Sequence, residues 1–161
     1  MRLWHWRMIS FLPDAQLLGQ WRECCAVAQK WADNELNHAL VNPVMNYPVE
    51  DFIEYCFLVK QSMHARGWNT TEYAEIKLKD NLYRIFQRDD QCGENDFVSI
   101  RGTIDQMMAG QKNPWGRDIF NKWHNEEYYN ICWFNLEEKY LCGCIPEDQW
   151  ARFIEGGLQY E

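Results

Sequence analysis

Nowhere in this chain of 161 residues do about 18 apolar residues follow one another, so no membrane-spanning helix is read. The first residues carry Arg2, His5 and Arg7 and lack the apolar centre of a secretory leader, so no signal peptide is read and a cytoplasmic location is expected. Basic side chains are in deficit: 16 against 24 acidic ones, a net charge of −8. That balance speaks against tight, non-specific binding to duplex nucleic acid, though it leaves room for a local basic patch, for which Arg7, Arg22, Lys30 and Arg66 are candidates. There is no glycine-rich phosphate loop, no serine nucleophile elbow and no His-Glu-x-x-His helix. Internal repeats, low-complexity segments and strand-like alternation are missing too.

The seven cysteines are odd in number, and their spacing makes no disulfide framework. Cys24, Cys25, Cys56 and Cys132 fall within apolar periodicity and read as small buried hydrophobes. Cys142-Gly143-Cys144 with His124 falls short of the four ligands of a structural zinc site, so neither metal nor cofactor is expected.

What is present is core-forming material. Hydrophobic residues make up 47% and aromatics 16%, with nine tryptophans. Aromatics bury large areas, and the length suits one domain spanning 1–161. The periodicity predicts an all-α fold, a compact helical domain with long irregular loops. After an extended or short helical lead over 1–12, Pro13-Asp14 opens a helix over 14–32, with Leu17, Leu18, Trp21, Cys25 and Ala28 as its buried stripe. A loop over 33–48 precedes a largely apolar helix over 49–66, stopped by Gly67 and predicted to be the most buried. A third helix over 70–86 is expected to bury Tyr73, Ile76, Leu82, Tyr83 and Ile85. Residues 87–96 and 110–116 read as loops around a short helix at 99–109. A helix starting at Arg117 or Asn125 runs to Tyr140, with Ile131, Cys132, Phe134 and Leu136 in its apolar pattern, and a last one from Pro146 ends at Gly156-Gly157.

Chemistry concentrates in the first long helix. Gln16, Gln20 and Glu23 recur at i, i+4 and i+7 on a polar face, with Gly19 among them and Arg22 beside Glu23. A glycine in mid-helix costs about 1 kcal/mol relative to alanine, so Gly19 is expected where something approaches closely: a packed helix or a ligand backbone. A fixed carboxylate can stabilise a developing oxocarbenium cation. An adjacent Arg–Glu pair by itself is more often a solvated helix face.

The stretch Leu12-x-Asp14-x-x-Leu17-x-x-x-x-Arg22-Glu23 resembles the start of the pyrimidine-dimer DNA glycosylases, the endonuclease V-type repair enzymes. Met1-Arg2-Leu3-Trp4-His5, Leu17-Leu18-Gly19-Gln20-x-Arg22-Glu23 and His38-Ala39-x-Val41-Asn42 are similar to bacterial and phage members of that family. The helix from Phe52 to Arg66-Gly67, and the segment from His124-Asn125-Glu126 to Leu136-Glu137-Glu138-Lys139, resemble its second and last long helices. The resemblance implies an all-α repair glycosylase with apurinic lyase activity, acting on damaged DNA. An N-terminal amine would attack the sugar C1′ to form a Schiff base. An ordinary α-amine pKa of roughly 7.7–8.0 leaves part of such a group unprotonated near neutral pH. The resemblance makes Glu23 the catalytic glutamate and Arg22 the residue that grips DNA. Because Arg2 is large, Met1 is expected to remain and to supply the amine. Arg2, Gln16, Gly19, Gln20, Arg22 and His38 are the expected substrate-binding residues. Composition keeps two other readings open: an acidic non-catalytic protein that binds a basic protein partner, and a binder or glycosidase for a nucleotide-sized ligand.

Overall fold

The computed structural model describes residues 1–88, 101, 102, 104–106, 108, 109 and 118–157. A 3-10 helix at Trp6–Phe11 leads into α1 (Asp14–Ala32). A second 3-10 turn, Asn42–Asn46, precedes α2 (Val49–Ala65), followed by α3 (Glu72–Arg88), α4 (Glu126–Leu141) and α5 (Glu147–Gly157). Residues 101, 102, 104–106 and 108 are helical as well. Among the described residues there is no strand, so the all-α expectation holds. Of the loop expected at 87–96, residues 87 and 88 instead form the last turn of α3, whose Arg88 bonds the end of α1; the rest of it, the loop expected at 110–116 and part of the 99–109 helix lie outside the described residues.

α1 packs against α3 and α2, while the first 3-10 helix bridges α2 and α5. The ends of α1 are satisfied by tertiary partners. Pro13 offers no capping side chain, and the Asp14 N–H instead donates to Gln149 Oε1 of α5 at 2.8 Å. At the other end Arg84 and Arg88 of α3 donate to the Ala32 and Trp31 carbonyls at 3.4 and 3.0 Å. Helix termini leave such backbone groups without intrahelical partners, so these bonds tie α1 to the rest of the fold. The Asp14 carboxylate also pairs with Arg66 at 2.8 Å and Arg152 at 3.3 Å.

α2 is the most deeply embedded helix, as expected, burying Phe52, Ile53, Tyr55, Cys56 and Val59 completely. Gly67 takes φ +78°, a left-handed conformation that ends the helix at little cost to glycine.

Three helix faces differ from expectation. In α1 the buried stripe is Leu17, Gln20, Trp21, Cys24, Val27 and Ala28, while Leu18 is 39% exposed and Cys25 is half-buried. Hydrophobicity alone misplaced the phase because a glutamine, Gln20, occupies a core position. In α3 the stripe is Leu78, Asn81, Leu82, Ile85 and Phe86, and Tyr73 and Ile76 are exposed. At 100° per residue they sit on the side opposite Leu78 and Leu82. In α4 only Cys132 and Leu136 are buried, one turn apart, leaving Ile131 and Phe134 on the outer face. Cys142 and Cys144 are exposed, whereas His124 is buried, and among the described residues no group of three His, Cys, Asp or Glu side chains could hold a metal ion.

His124 instead stacks on His5, ring centroids 5.0 Å apart, within a cage that includes Tyr55, Phe120, Trp123 and Tyr128. His5 Nε2 donates to the His124 carbonyl at 2.7 Å, and His5 Nδ1 accepts the Arg7 N–H at 3.2 Å. His124 Nδ1 accepts the Trp6 N–H at 3.0 Å. Each ring therefore uses one nitrogen as an acceptor, which requires it to be neutral. Burial is the main cause that pulls the His5 pKa down to about 4, with the Arg7 charge adding to it, and burial followed by the His5 charge lowers that of His124 well below 6.5. Both histidines take up protons more readily in the unfolded chain. Their contribution is therefore complete above pH 6.5 and is lost as pH falls toward 4. His5 alone should cost on the order of 3 kcal/mol across that window. Urea titrations at pH 7.5, 6.5, 5.5 and 4.5 should show a midpoint that falls below pH 6.5, and His5→Gln should flatten the fall.

Candidate active site

Residues 1–5 are neither helix nor strand, yet Leu3 and His5 are fully buried and Trp4 is 7% exposed. A buried backbone without a ladder needs other partners for its N–H and C=O groups. Here side chains supply them. Arg2 N–H donates to Glu23 Oε2 at 2.6 Å, and Trp4 N–H donates to Gln20 Oε1 at 3.0 Å. The Leu3 carbonyl accepts from Tyr128 O–H and the Trp4 carbonyl from Tyr55 O–H, each at 2.7 Å. Burial pushes both tyrosine pKa values up, keeping the hydroxyls as donors.

The segment therefore runs antiparallel to α1, residue 2 beside residue 23 and residue 4 beside residue 20. Two extended residues span about 6.6 Å and three helical residues about 4.5 Å, a mismatch that glutamine and glutamate side chains can absorb. This register carries the chain end past Glu23. The Met1 amine reaches His38 Nε2 at 3.4 Å. His38 is placed by a closed turn: its N–H donates to Asn42 Oδ1 at 2.8 Å, and its carbonyl accepts from the Val41 and Asn42 N–H groups, both at 2.8 Å. The pattern His38-Ala39-x-Val41-Asn42 thus has a local structural reason, with Val41 anchoring the turn in the core.

These groups surround an open pocket of about 430 Å³. Its walls bring together Met1, Arg2, Gln16, Gly19, Gln20, Glu23 and His38, all expected from the sequence, with Trp4, Leu40, Asn135 and Lys139. Arg22 is exposed and does not line the pocket; a step of 100° from Glu23 takes it off the face formed by residues 16, 19, 20 and 23. Asn135 and Lys139 had escaped notice as site residues. Their signal was an i, i+4 polar pair on α4, in a segment singled out only for its resemblance.

Electrostatically the pocket inverts the sign of the whole chain. The Met1 amine, Arg2 and Lys139 line it against a single carboxylate, Glu23, while the net charge is −8. The broader basic patch proposed for Arg7 and Arg66 does not form there: Arg7 pairs with Glu126 at 3.0 Å and Arg66 with Asp14 at 2.8 Å. Several polar atoms of the lining residues are buried and have no hydrogen-bond partner among the described residues: Arg2 Nη1, Gln16 Oε1, Gln20 Nε2 and His38 Nδ1. Such atoms are costly to leave unpaired, and these four belong to residues that line one cavity.

The all-α fold thus brings the chain's N-terminal amine, the Glu23 carboxylate of α1 and the cationic side chains of Arg2 and Lys139 to one pocket. The family model described as pyrimidine dimer DNA glycosylase matches residues 1–76, and over that span the resemblance read from the sequence is borne out. The matched span holds the N-terminal segment, α1, the His38 turn and α2; the likeness read from His124 to Lys139 lies beyond it. No curated protein and no solved structure matches the chain.

Gly19 has open space where a Cβ would stand, with no atom within 4 Å. The expected close approach is therefore not that of a packed helix; Gly19 forms part of the pocket floor. Gly19→Ala should raise stability by about 1 kcal/mol in urea titrations, through helix propensity. It should also place a methyl group in the pocket and weaken ligand binding. A loss of stability would show that the position is confined after all.

Proposed function

We propose that the protein is a DNA glycosylase with apurinic lyase activity, which attacks damaged DNA through the Met1 amine with Glu23 as the charge-stabilising carboxylate. The observation that carries this reading is the register of the N-terminal segment, which delivers the chain's amine and Glu23 to the same pocket.

In this mechanism His38 Nε2, 3.4 Å from the amine, accepts its proton and leaves the nitrogen lone pair free. The amine nitrogen bonds to the sugar C1′ as the bond from C1′ to the base breaks, and the base leaves with the electron pair. Glu23 stabilises the positive charge that develops at C1′; the nitrogen then gives up a proton, the C1′–O4′ bond breaks with O4′ taking a proton, and the ring-opened sugar is held as an iminium facing the carboxylate. Loss of a proton from C2′, which the iminium acidifies, then forms the C2′–C3′ double bond as the C3′–O bond breaks, and the 3′ phosphate leaves with the electron pair to give the lyase product. Arg2 and Lys139 offer cationic contacts to the phosphates flanking the sugar, the role first assigned to Arg22. Bringing a damaged nucleotide into the pocket requires the duplex to be deformed.

A second reading is favoured by the size of the pocket: about 430 Å³ suits a single nucleotide, so a free nucleotide-sized ligand is the alternative substrate. A thermal-shift screen with nucleotides distinguishes the two when set beside DNA binding.

Borohydride should trap a covalent adduct of the intact protein with abasic and dimer-containing duplexes, and peptide mapping should place the adduct on Met1. Glu23→Gln should lower trapping on the order of 10²-fold. The nitrogen held at 2.6 Å from Glu23 belongs to Arg2, so aminopeptidase removal of Met1 should move the adduct to residue 2 and speed its formation. No adduct with either form of the chain end would rule out amine catalysis.

A further inference from the structure

The half-buried Met1 lines an open pocket, and its amine lies 3.4 Å from His38 Nε2. The residues after it are fixed, since Glu23 holds the Arg2 N–H and Gln20 the Trp4 N–H. An ordinary α-amine, with a pKa of roughly 7.7–8.0, is about a quarter to two-fifths unprotonated at pH 7.5, whereas an ordinary lysine amine is only about 0.1% unprotonated there. The chain end is thus the amine most open to a small electrophile, and His38 Nε2 is placed to take the proton that its reaction releases. The charges around it select among electrophiles. Besides the amine, the lining holds two cationic side chains, Arg2 and Lys139, and one carboxylate, Glu23. With the amine neutral, one positive charge is left without a counterpart. A neutral acyl group on the nitrogen leaves that charge unopposed, whereas an adduct that makes the nitrogen part of an anion balances it. The exposed Lys139 and the Arg2 guanidinium, held 5.3 Å from the Trp4 ring centre, are the groups that would meet such an anion.

We infer that the Met1 amine is a carbon dioxide site, modified reversibly to a carbamate. The amine nitrogen attacks the carbon of carbon dioxide, one C=O bond gives its electron pair to the oxygen, and the nitrogen passes a proton to His38 Nε2. The product carries one negative charge, which faces Lys139 and Arg2, and the imidazolium can donate its new N–H to a carbamate oxygen. The nitrogen lone pair is then shared with the carboxyl group, so the chain end no longer acts as a nucleophile. Loss of carbon dioxide, with return of the proton, restores the amine. This inference shares with the glycosylase reading only the free Met1 amine. Where that amine attacks a sugar C1′, carbon dioxide becomes a reversible inhibitor of the attack.

The test is carbon-13 NMR of the full chain under carbon-13 bicarbonate, with nitrogen-15 in its methionines and an intact Met1 verified by mass. Of the six methionines only Met1 has an α-nitrogen that is an amine, so a carbamate carbon split by nitrogen-15 reports this site alone. At equal pH and carbon dioxide, the folded chain should hold at least about threefold more carbamate than the free tetrapeptide of residues 1–4, the size of one partly screened charge contact. Lys139→Gln, at an exposed position, should lower the carbamate about threefold. Glu23→Gln, which keeps an acceptor for the Arg2 N–H and removes the opposing charge, should raise it. No split resonance, a carbamate fraction no higher than in the peptide, or one fraction shared by all three proteins would overturn the inference. Borohydride trapping on abasic DNA keeps the two readings apart. Carbamate formation with no trapping at any level of carbon dioxide would remove the lyase reading and leave the carbon dioxide site standing, whereas trapping with no split resonance would remove the carbon dioxide site alone.

Discussion

Two hydrogen bonds determine what this fold can do: Arg2 N–H to Glu23 and Trp4 N–H to Gln20. They replace the backbone ladder that the first residues lack. A buried, irregular segment is unstable unless its polar groups are met, and here polar side chains of α1 meet them from one side while Tyr55 and Tyr128 meet the carbonyls from the other. Glu23 is thus both a structural acceptor and, among the described residues, the only carboxylate that lines the pocket. The rest of the arrangement follows from that register, including the position of the chain end beside His38 and the shape of the cavity.

The electrostatics of the molecule have to be read locally. A net charge of −8 opposes non-specific binding to DNA, yet charge acts over distances comparable to the screening length of about 8–10 Å in ordinary salt. Cations away from the pocket, such as Arg7, Arg66 and Arg84, are paired with carboxylates. Those lining it, Arg2, Lys139 and the amine, outnumber the one carboxylate there. An acidic protein with a cationic cavity would take up an anionic ligand at one place while repelling polyanions elsewhere, which suits a site that engages one strained nucleotide more than one that grips a long duplex.

Much of the helical framework was legible in the sequence, since it depends on local rules. The bounds of α1 and the stop at Gly67 follow from proline and glycine chemistry, and of the two starts open for α4, Arg117 and Asn125, the structure takes the second, where Asn125 Oδ1 accepts the Tyr128 N–H at 2.9 Å. Faces were harder to read. α1 buries Gln20 because Trp4, sixteen residues earlier, needs an acceptor, a reason absent from α1's own periodicity. In α3 and α4 several aromatic and aliphatic residues remain exposed, so apolar pattern alone overcounted the buried side.

By itself the sequence determined the helices, the polar row of Gln16, Gln20 and Glu23, and a resemblance dense enough for a family model to match residues 1–76. These are properties of neighbouring residues and of residue order. Tertiary structure alone decided which nitrogen meets Glu23, that Arg22 turns away, and that Asn135 and Lys139 from a distant helix complete the pocket. It also decided that His124 is buried as a core acceptor while Cys142 and Cys144 are exposed. The physical reason is the same in each case: these contacts join groups far apart in the chain. They form where packing buries a polar atom that must find a partner, and sequence spacing does not specify which partner comes within reach.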